Sequence, residues 1–133
     1  MQLNISTDYA IRIILYLAKS KQVVPSSKLS KVIQVSTRYL LQIGAKLRDA
    51  GLILTANGPT GGYSLVKPPG EISLYDIIII MEGETATRQW SAPEVKDNHE
   101  FEALNMAYEH VKNALEESLK RITIESLLSQ PAD

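Results

Sequence analysis

STRYLLQIGAKLRDAGLILTANGPTGGYSL, residues 36–65, is the stretch that decides the fold. It reads as a capped helix, a stop, a strand, a glycine-rich turn and a second strand. The Ser36 hydroxyl suits an N-cap, where it accepts a backbone N–H that the first turn leaves unpaired. Leu40, Ile43 and Leu47 recur at three and four residues and form one apolar stripe. Gly51 follows the last helical residue, the place where a left-handed cap favours glycine. Leu52-Ile53-Leu54-Thr55 is apolar and partly β-branched, as a short strand requires. Asn57-Gly58-Pro59-Thr60-Gly61-Gly62 must turn, and Tyr63-Ser64-Leu65-Val66 returns as the partner strand. A helix followed by a hairpin with a glycine-rich tip is the end of a winged helix-turn-helix.

Working outward toward the N-terminus, Ser6-Thr7-Asp8 forms a capping cluster for a first helix, with an acid at its positive end. Tyr9, Ile13 and Leu17 line its apolar face, and Lys19 to Lys21 suit its negative end. Val23-Val24-Pro25 reads as an extended connector. Ser26 or Ser27 then caps a second helix from Lys28 to Ile33, with Leu29, Val32 and Ile33 inward. Two helices separated by about three residues have helix-turn-helix spacing.

Toward the C-terminus, Ser73 caps a helix from Leu74 to Glu82, with Leu74, Ile77, Ile78 and Met81 on one face. The run Ile77 to Ile80 also fits a buried strand, but the cap and Asp76 favour helix. Residues 83–98 are polar, contain Pro93 and read as a loop, with Trp90 either pinning it to the body or lining a ligand site. From about His99 to Arg121 runs a long acidic helix. Phe101, Leu104, Tyr108, Val111, Leu115, Leu119 and Ile122 are spaced close to a heptad seam. That stripe packs either on its own domain or on a second copy, and pairing in a homodimer is the sharper expectation. Thr123 caps a last short helix through Leu128.

The expected fold is therefore mainly α with a small β-hairpin wing. A winged helix-turn-helix domain covers residues 1–82, a loop 83–98, and a dimerisation helix with a short final helix 99–133. The formal net charge of −1 hides an asymmetry. Up to Pro68, nine basic residues face two acids, a net of +7; from Pro69 onward five face thirteen, a net of −8. A basic half that carries a helix and a wing suits a polyanion, because neutralised phosphates supply most non-specific affinity.

No apolar run approaches the roughly 20 residues of a membrane-spanning helix, and no secretion signal is visible, so cytoplasm is the expected compartment. There is no cysteine, hence no disulfide and no thiolate metal ligand. The two histidines, His99 and His110, lack zinc-type spacing, and the glycine-rich turn lacks the ending of a phosphate-binding loop. An enzyme is not expected, and neither is a metal or cofactor.

Several segments together resemble one known family. They are Ser6-Thr7-Asp8-Tyr9-Ala10-Ile11-Arg12, Tyr39-Leu40, Lys46-Leu47-Arg48-Asp49-Ala50-Gly51-Leu52, Gly58-Pro59-Thr60-Gly61-Gly62-Tyr63, Glu71-Ile72-Ser73-Leu74-Tyr75-Asp76 and Ile122 to Leu128. In these the chain resembles the Rrf2-type transcriptional regulators, which include iron–sulfur and nitric-oxide-sensing members. The resemblance implies a dimeric winged-helix repressor or activator of double-stranded DNA, with the long helix crossing to the partner subunit.

Carried over by position, Ser36, Thr37, Arg38, Tyr39, Leu41, Gln42 and Lys46 would face DNA from the recognition helix. Asn57, Gly58, Thr60, Gly61 and Gly62 would form the wing tip. The plainer reading leaves Tyr39 in the core and Arg38 as a solvated charge. Phe101, Leu104, Tyr108, Val111, Leu115 and Leu119 would form the dimer seam.

The chain also departs from the family. Many members hold an iron–sulfur cluster through three cysteines in the loop matching residues 83–98, and this chain has none. Leu41 replaces a common glutamate, Asn57 a common arginine, and Gly44 a larger apolar residue. Mid-helix, Gly44 should cost about 1 kcal/mol relative to alanine. The function expected is sequence-specific repression by a dimer without a cluster, controlled by an unidentified small-molecule or protein effector or by none. The alternative is an interaction or small-molecule-sensing module that has lost strong DNA binding.

Overall fold

The computed structural model describes residues 3–84 and 96–130. Helices α1 (Ile5–Ser20), α2 (Ser26–Ile33) and α3 (Thr37–Asp49) precede a hairpin of β1 (Ile53–Ala56) and β2 (Gly62–Leu65). A 3₁₀ turn at Pro69–Glu71 leads to α4 (Leu74–Glu82), and α5 (His99–Arg121) and α6 (Ile124–Leu128) follow. The mainly helical fold with a hairpin wing is the one the sequence led us to expect. Trp90 and most of the 83–98 loop lie outside the described residues.

One core joins these elements. Ile13 and Leu17 of α1, Leu40 and Leu47 of α3, Ile77 of α4 and Ile124 of α6 are all buried in it. The stripe on α3 faces inward as its spacing requires, and Ser36 caps the helix by accepting the Tyr39 N–H at 3.1 Å. Gly51 follows α3 with φ 82°. Ser73 and Asp76 form a reciprocal capping box at α4, and Thr123 and Ser126 another at α6. Ile77 to Ile80 is thus helix, because two orphan donors at its start are satisfied by neighbours three residues apart.

The start of α1 differs from expectation. It begins at Ile5, with Asn4 at the N-cap and no side-chain cap bond, so Ser6 and Thr7 lie inside the helix. A carboxylate from α4 does the capping work instead. Thr7 is fully buried and its hydroxyl donates to Glu82 Oε2 at 2.6 Å, while the Asn4 N–H donates to the same oxygen at 3.4 Å. A negative charge at a helix N-terminus is favourable, and this one also ties α1 to α4.

The second helix starts at Ser26 with Pro25 at its N-cap, so neither Ser26 nor Ser27 caps it. Proline fixes φ without needing a hydrogen-bond partner for its nitrogen. Only Leu29 and Ile33, one turn apart, are buried apolar residues of this helix; Val32 is 44% exposed.

The strands each sit one residue from their expected bounds and pair antiparallel, with Thr55 opposite Tyr63. Val24 in the connector adds an unexpected third rung. Its N–H donates to the Tyr63 carbonyl, and the Tyr63 N–H donates to the Val24 carbonyl, both at 2.8 Å. Gly62 makes that approach possible: at φ 148°, its Cβ would collide with the Val24 carbonyl.

Gly44 also has a reason that spacing alone did not reveal. A Cβ built on it would lie 2.8 Å from Cε1 of Tyr63, so the missing side chain is the space the tyrosine ring fills. Its propensity cost is offset by burial of that ring, which is only 4% exposed with its residue.

The Thr7–Glu82 bond gives a first test. Thr7→Val keeps shape but removes the donor to a charged acceptor. Urea denaturation should show a loss of about 2 kcal/mol; an unchanged midpoint would mean that α1 does not need this tie.

Candidate nucleic-acid interface

Helix α3 turns one face to the core and leaves the other open. Thr37, Arg38, Leu41, Gln42 and Lys46 are exposed, as is the capping residue Ser36. Arg38 and Gln42 lie four residues apart and therefore point the same way, with Leu41 beside them. Leu41 is 55% exposed, a large apolar side chain on this otherwise polar face. Tyr39 differs from its neighbours. It is half-buried and packs edge-on against Tyr9, with ring centroids 5.8 Å apart at 86°, so α1 fixes its ring.

The hairpin stands beside this face. Asn57, Gly58 and Thr60 are exposed at its tip, while Gly61 and Gly62 are partly covered where the chain turns back to the body. Between helix and wing lies a groove of about 470 Å³. Leu41 and Arg48 of α3, Asn57 and Gly61 of the wing, and Ser26 and Ser27 at the start of α2 line it. Leu41, Asn57, Gly58, Gly61 and Gly62 of the expected set meet there; Arg38, Gln42 and Lys46 stay on the outer face of the helix.

Sequence reading missed Ser26, Ser27 and Arg48 as members of this surface. Their signal was present but ambiguous, since serines before a helix read as caps and an arginine late in a helix reads as a dipole partner. Arg48 contacts Asp49 at 3.3 Å in an exposed pair, an interaction too solvated to immobilise it strongly. Burial pushes the Tyr63 phenol above its ordinary pKa, with Arg48 nearby pulling the other way. Tyr63 thus stays neutral at physiological pH and acts as a packed ring.

From Ile53 to Val66 there is no charged residue. The wing offers backbone N–H groups, an amide and a threonine hydroxyl, whereas the formal charge sits on α2 and α3. Positive charge that spans helix and groove suits a phosphate backbone, and the side-chain face of α3 suits base edges.

The long helix is open in a different way. None of α5 is buried. Phe101, Leu104 and Val111 are 48%, 45% and 39% exposed, while Tyr108, Leu115 and Leu119 are half-buried. Its C-terminal end is fastened to the body: the Leu74 N–H donates to the Ile122 carbonyl, and the Ile124 N–H to the Ile72 carbonyl, both at 2.9 Å.

Comparison with known proteins agrees with this architecture. The model of the Rrf2 family, described as iron-dependent transcriptional regulators, matches residues 3–130. HTH-type transcriptional regulator CymR of Bacillus subtilis is 31% identical over 131 residues, covering 97% of this chain and 91% of that protein. HTH-type transcriptional regulator NsrR of Halalkalibacterium halodurans is 40% identical over 84 residues, 59% of this chain and 55% of that protein. The solved structure of CymR (YrzC), the global cysteine regulator of B. subtilis, superposes with a TM-score of 0.83 at 26% identity and covers 99% of both chains.

The iron in the family's description needs ligands. With no cysteine in the chain, the donors do not fit a thiolate-held iron–sulfur cluster. Among the described residues, no group of three or more histidines and carboxylates lies close enough to hold a metal ion.

The interface depends on a well-formed start to α3. Ser36→Ala should cost about 1 kcal/mol of stability, and Ser36→Asp should recover most of it. Equal denaturation midpoints for the native chain and Ser36→Ala would show that the cap contributes nothing.

Proposed function

The chain belongs to the Rrf2 family of DNA-binding transcriptional regulators, and from that premise we propose that it acts as a homodimeric repressor without an iron–sulfur cluster. Each protomer presents α3 to the major groove and residues 57–62 to the adjacent backbone or minor groove. The observation that carries this reading is the exposed face of α3 standing beside the wing across one groove.

Each side chain has work it can do there. Gln42 pairs its amide with adenine, Arg38 reaches guanine or phosphate, and Leu41 contacts a thymine methyl. Ser36, Thr37 and Lys46 contact phosphates, and Tyr39 supports the helix from beneath. At the wing, Asn57, Gly58, Thr60, Gly61 and Gly62 approach the duplex through backbone and neutral groups. The partner copy covers Phe101, Leu104, Tyr108, Val111, Leu115 and Leu119. A dimer presents two α3 helices to two half-sites, and its occupancy of a promoter excludes polymerase.

The uncharged wing and exposed Leu41 favour one rival, a module that binds an apolar protein partner in place of DNA. Salt separates the two, because only phosphate contacts release counterions. With DNA upstream of its own gene, or a duplex recovered from a random-sequence pool, anisotropy should show binding that weakens steeply as salt rises. Arg38→Ala and Gln42→Ala should each abolish preference over scrambled DNA, and Lys46→Ala should lower the salt slope by about one. Preference surviving both of the first two substitutions would remove α3 as the reading helix.

Pairing is tested separately. Leu104→Asp combined with Leu115→Asp places charge in the apolar seam and should give a monomer in analytical ultracentrifugation. A dimer that persists would mean the subunits meet elsewhere.

A further inference from the structure

We propose that Gly44 and Tyr63 are positioning residues whose interlock sets the spacing between α3 and the wing, and through it which duplex the protein prefers. The DNA consequence rests on the reading above; the spacing itself does not. Neither residue belongs to the DNA-facing set.

The interlock is built from three contacts that leave Tyr63 little freedom. Its backbone is bound to Val24 by two hydrogen bonds of 2.8 Å and faces Thr55 across the hairpin. Gly62 before it has no room for a Cβ against the Val24 carbonyl. Its ring fills the space beside Gly44, where an added Cβ would stand 2.8 Å from Cε1 and 3.4 Å from Cζ and Oη. The ring is buried and the helix behind it is packed through Leu40, Ile43 and Leu47.

A side chain at position 44 must therefore push something. The core side of α3 cannot yield without disturbing the whole domain, because interiors are close-packed. The hairpin also rests on the body through Ile53 and Leu65, but the atoms that a side chain at 44 would meet are all in the Tyr63 ring, so the displacement enters on the hairpin side. Displacement at Tyr63 is carried outward to Asn57, Gly58 and Thr60 at the tip.

The spacing can be read without DNA. The chain has no cysteine, so Thr37→Cys and Pro59→Cys allow a spin label on the recognition helix and another at the wing tip. Labelled protein diluted with unlabelled full-length chain reports distances within one protomer. Gly44→Leu should shift or broaden the distance distribution, and Gly44→Leu with Tyr63→Ala should return it toward the original, since the second change removes the ring that was displaced. An unchanged distribution in Gly44→Leu overturns the proposal, whatever the protein binds.

The DNA arm uses unlabelled protein and a duplex selected from a random pool by the native chain. Gly44→Leu should lower preference for that duplex over scrambled DNA by about tenfold, roughly the loss from one mismatched base pair. The double variant should regain most of it. A moved wing with unaltered preference would also overturn the proposal. If the native chain selects no duplex at all, the DNA-binding reading fails and the preference claim falls with it, while the distance arm still decides the interlock.

Discussion

Two strands alone do not make a stable sheet in water, and this constraint shapes the reading surface. The hairpin of β1 and β2 has an exposed outer edge at Tyr63, and Val24 satisfies both of its backbone groups there. The connector between α1 and α2 therefore serves as a one-residue third strand. The same tyrosine turns its ring into the gap left by Gly44. One residue thus joins the connector, the recognition helix and the wing. Hydrogen bonds fix its backbone and burial fixes its ring, and the two constraints act on different elements. The groove between α3 and the wing inherits its width from them.

A second set of ties holds the ends of the helices. Glu82 closes the start of α1, bringing together residues 75 positions apart in the chain. At the base of α5, Ser73 and Thr123 form an isolated antiparallel bridge, and each also opens a capping box for the helix that follows it. The body thus grips the last turns of α5, and Lys120 lies 4.6 Å above the Tyr75 ring. The earlier turns keep Phe101 and Leu104 in solvent.

What could be read from the sequence was what depends on near neighbours. Ser36, Ser73 and Thr123 cap helices through residues three positions away, so their roles showed in the spacing itself. The stripe Leu40, Ile43, Leu47 likewise fixed the inward face of α3, and with it the outward face proposed to meet DNA. The failures have the opposite character. Ser6-Thr7-Asp8 looked like a cap because the distant carboxylate of Glu82 was invisible. Gly44 looked like a weak point because its partner, Tyr63, lies beyond β1 and the hairpin turn, in the second strand. Val32 was assigned inward on helical spacing, but an eight-residue helix buries only the apolar pair one full turn apart. Ser26, Ser27 and Arg48 joined the groove through tertiary packing that no local pattern encodes.

Charge and shape divide the labour of this surface. Basic residues concentrate before Pro68, yet the span from Ile53 to Val66 carries none. Attraction to phosphate must then come mainly from the helices, where it is long-range and screened by salt. A wing that meets DNA as proposed would discriminate only through contact, by fitting or failing to fit against a backbone or groove. A neutral wing is useful only if it is held in place, because it has no field to draw it into position. An arginine at the position of Asn57 could reach across a loose fit; an asparagine cannot. In the proposed reading, the absence of charge at Asn57 raises the demand on the Val24, Gly44 and Tyr63 constraints, and the rigidity of the hairpin becomes part of recognition.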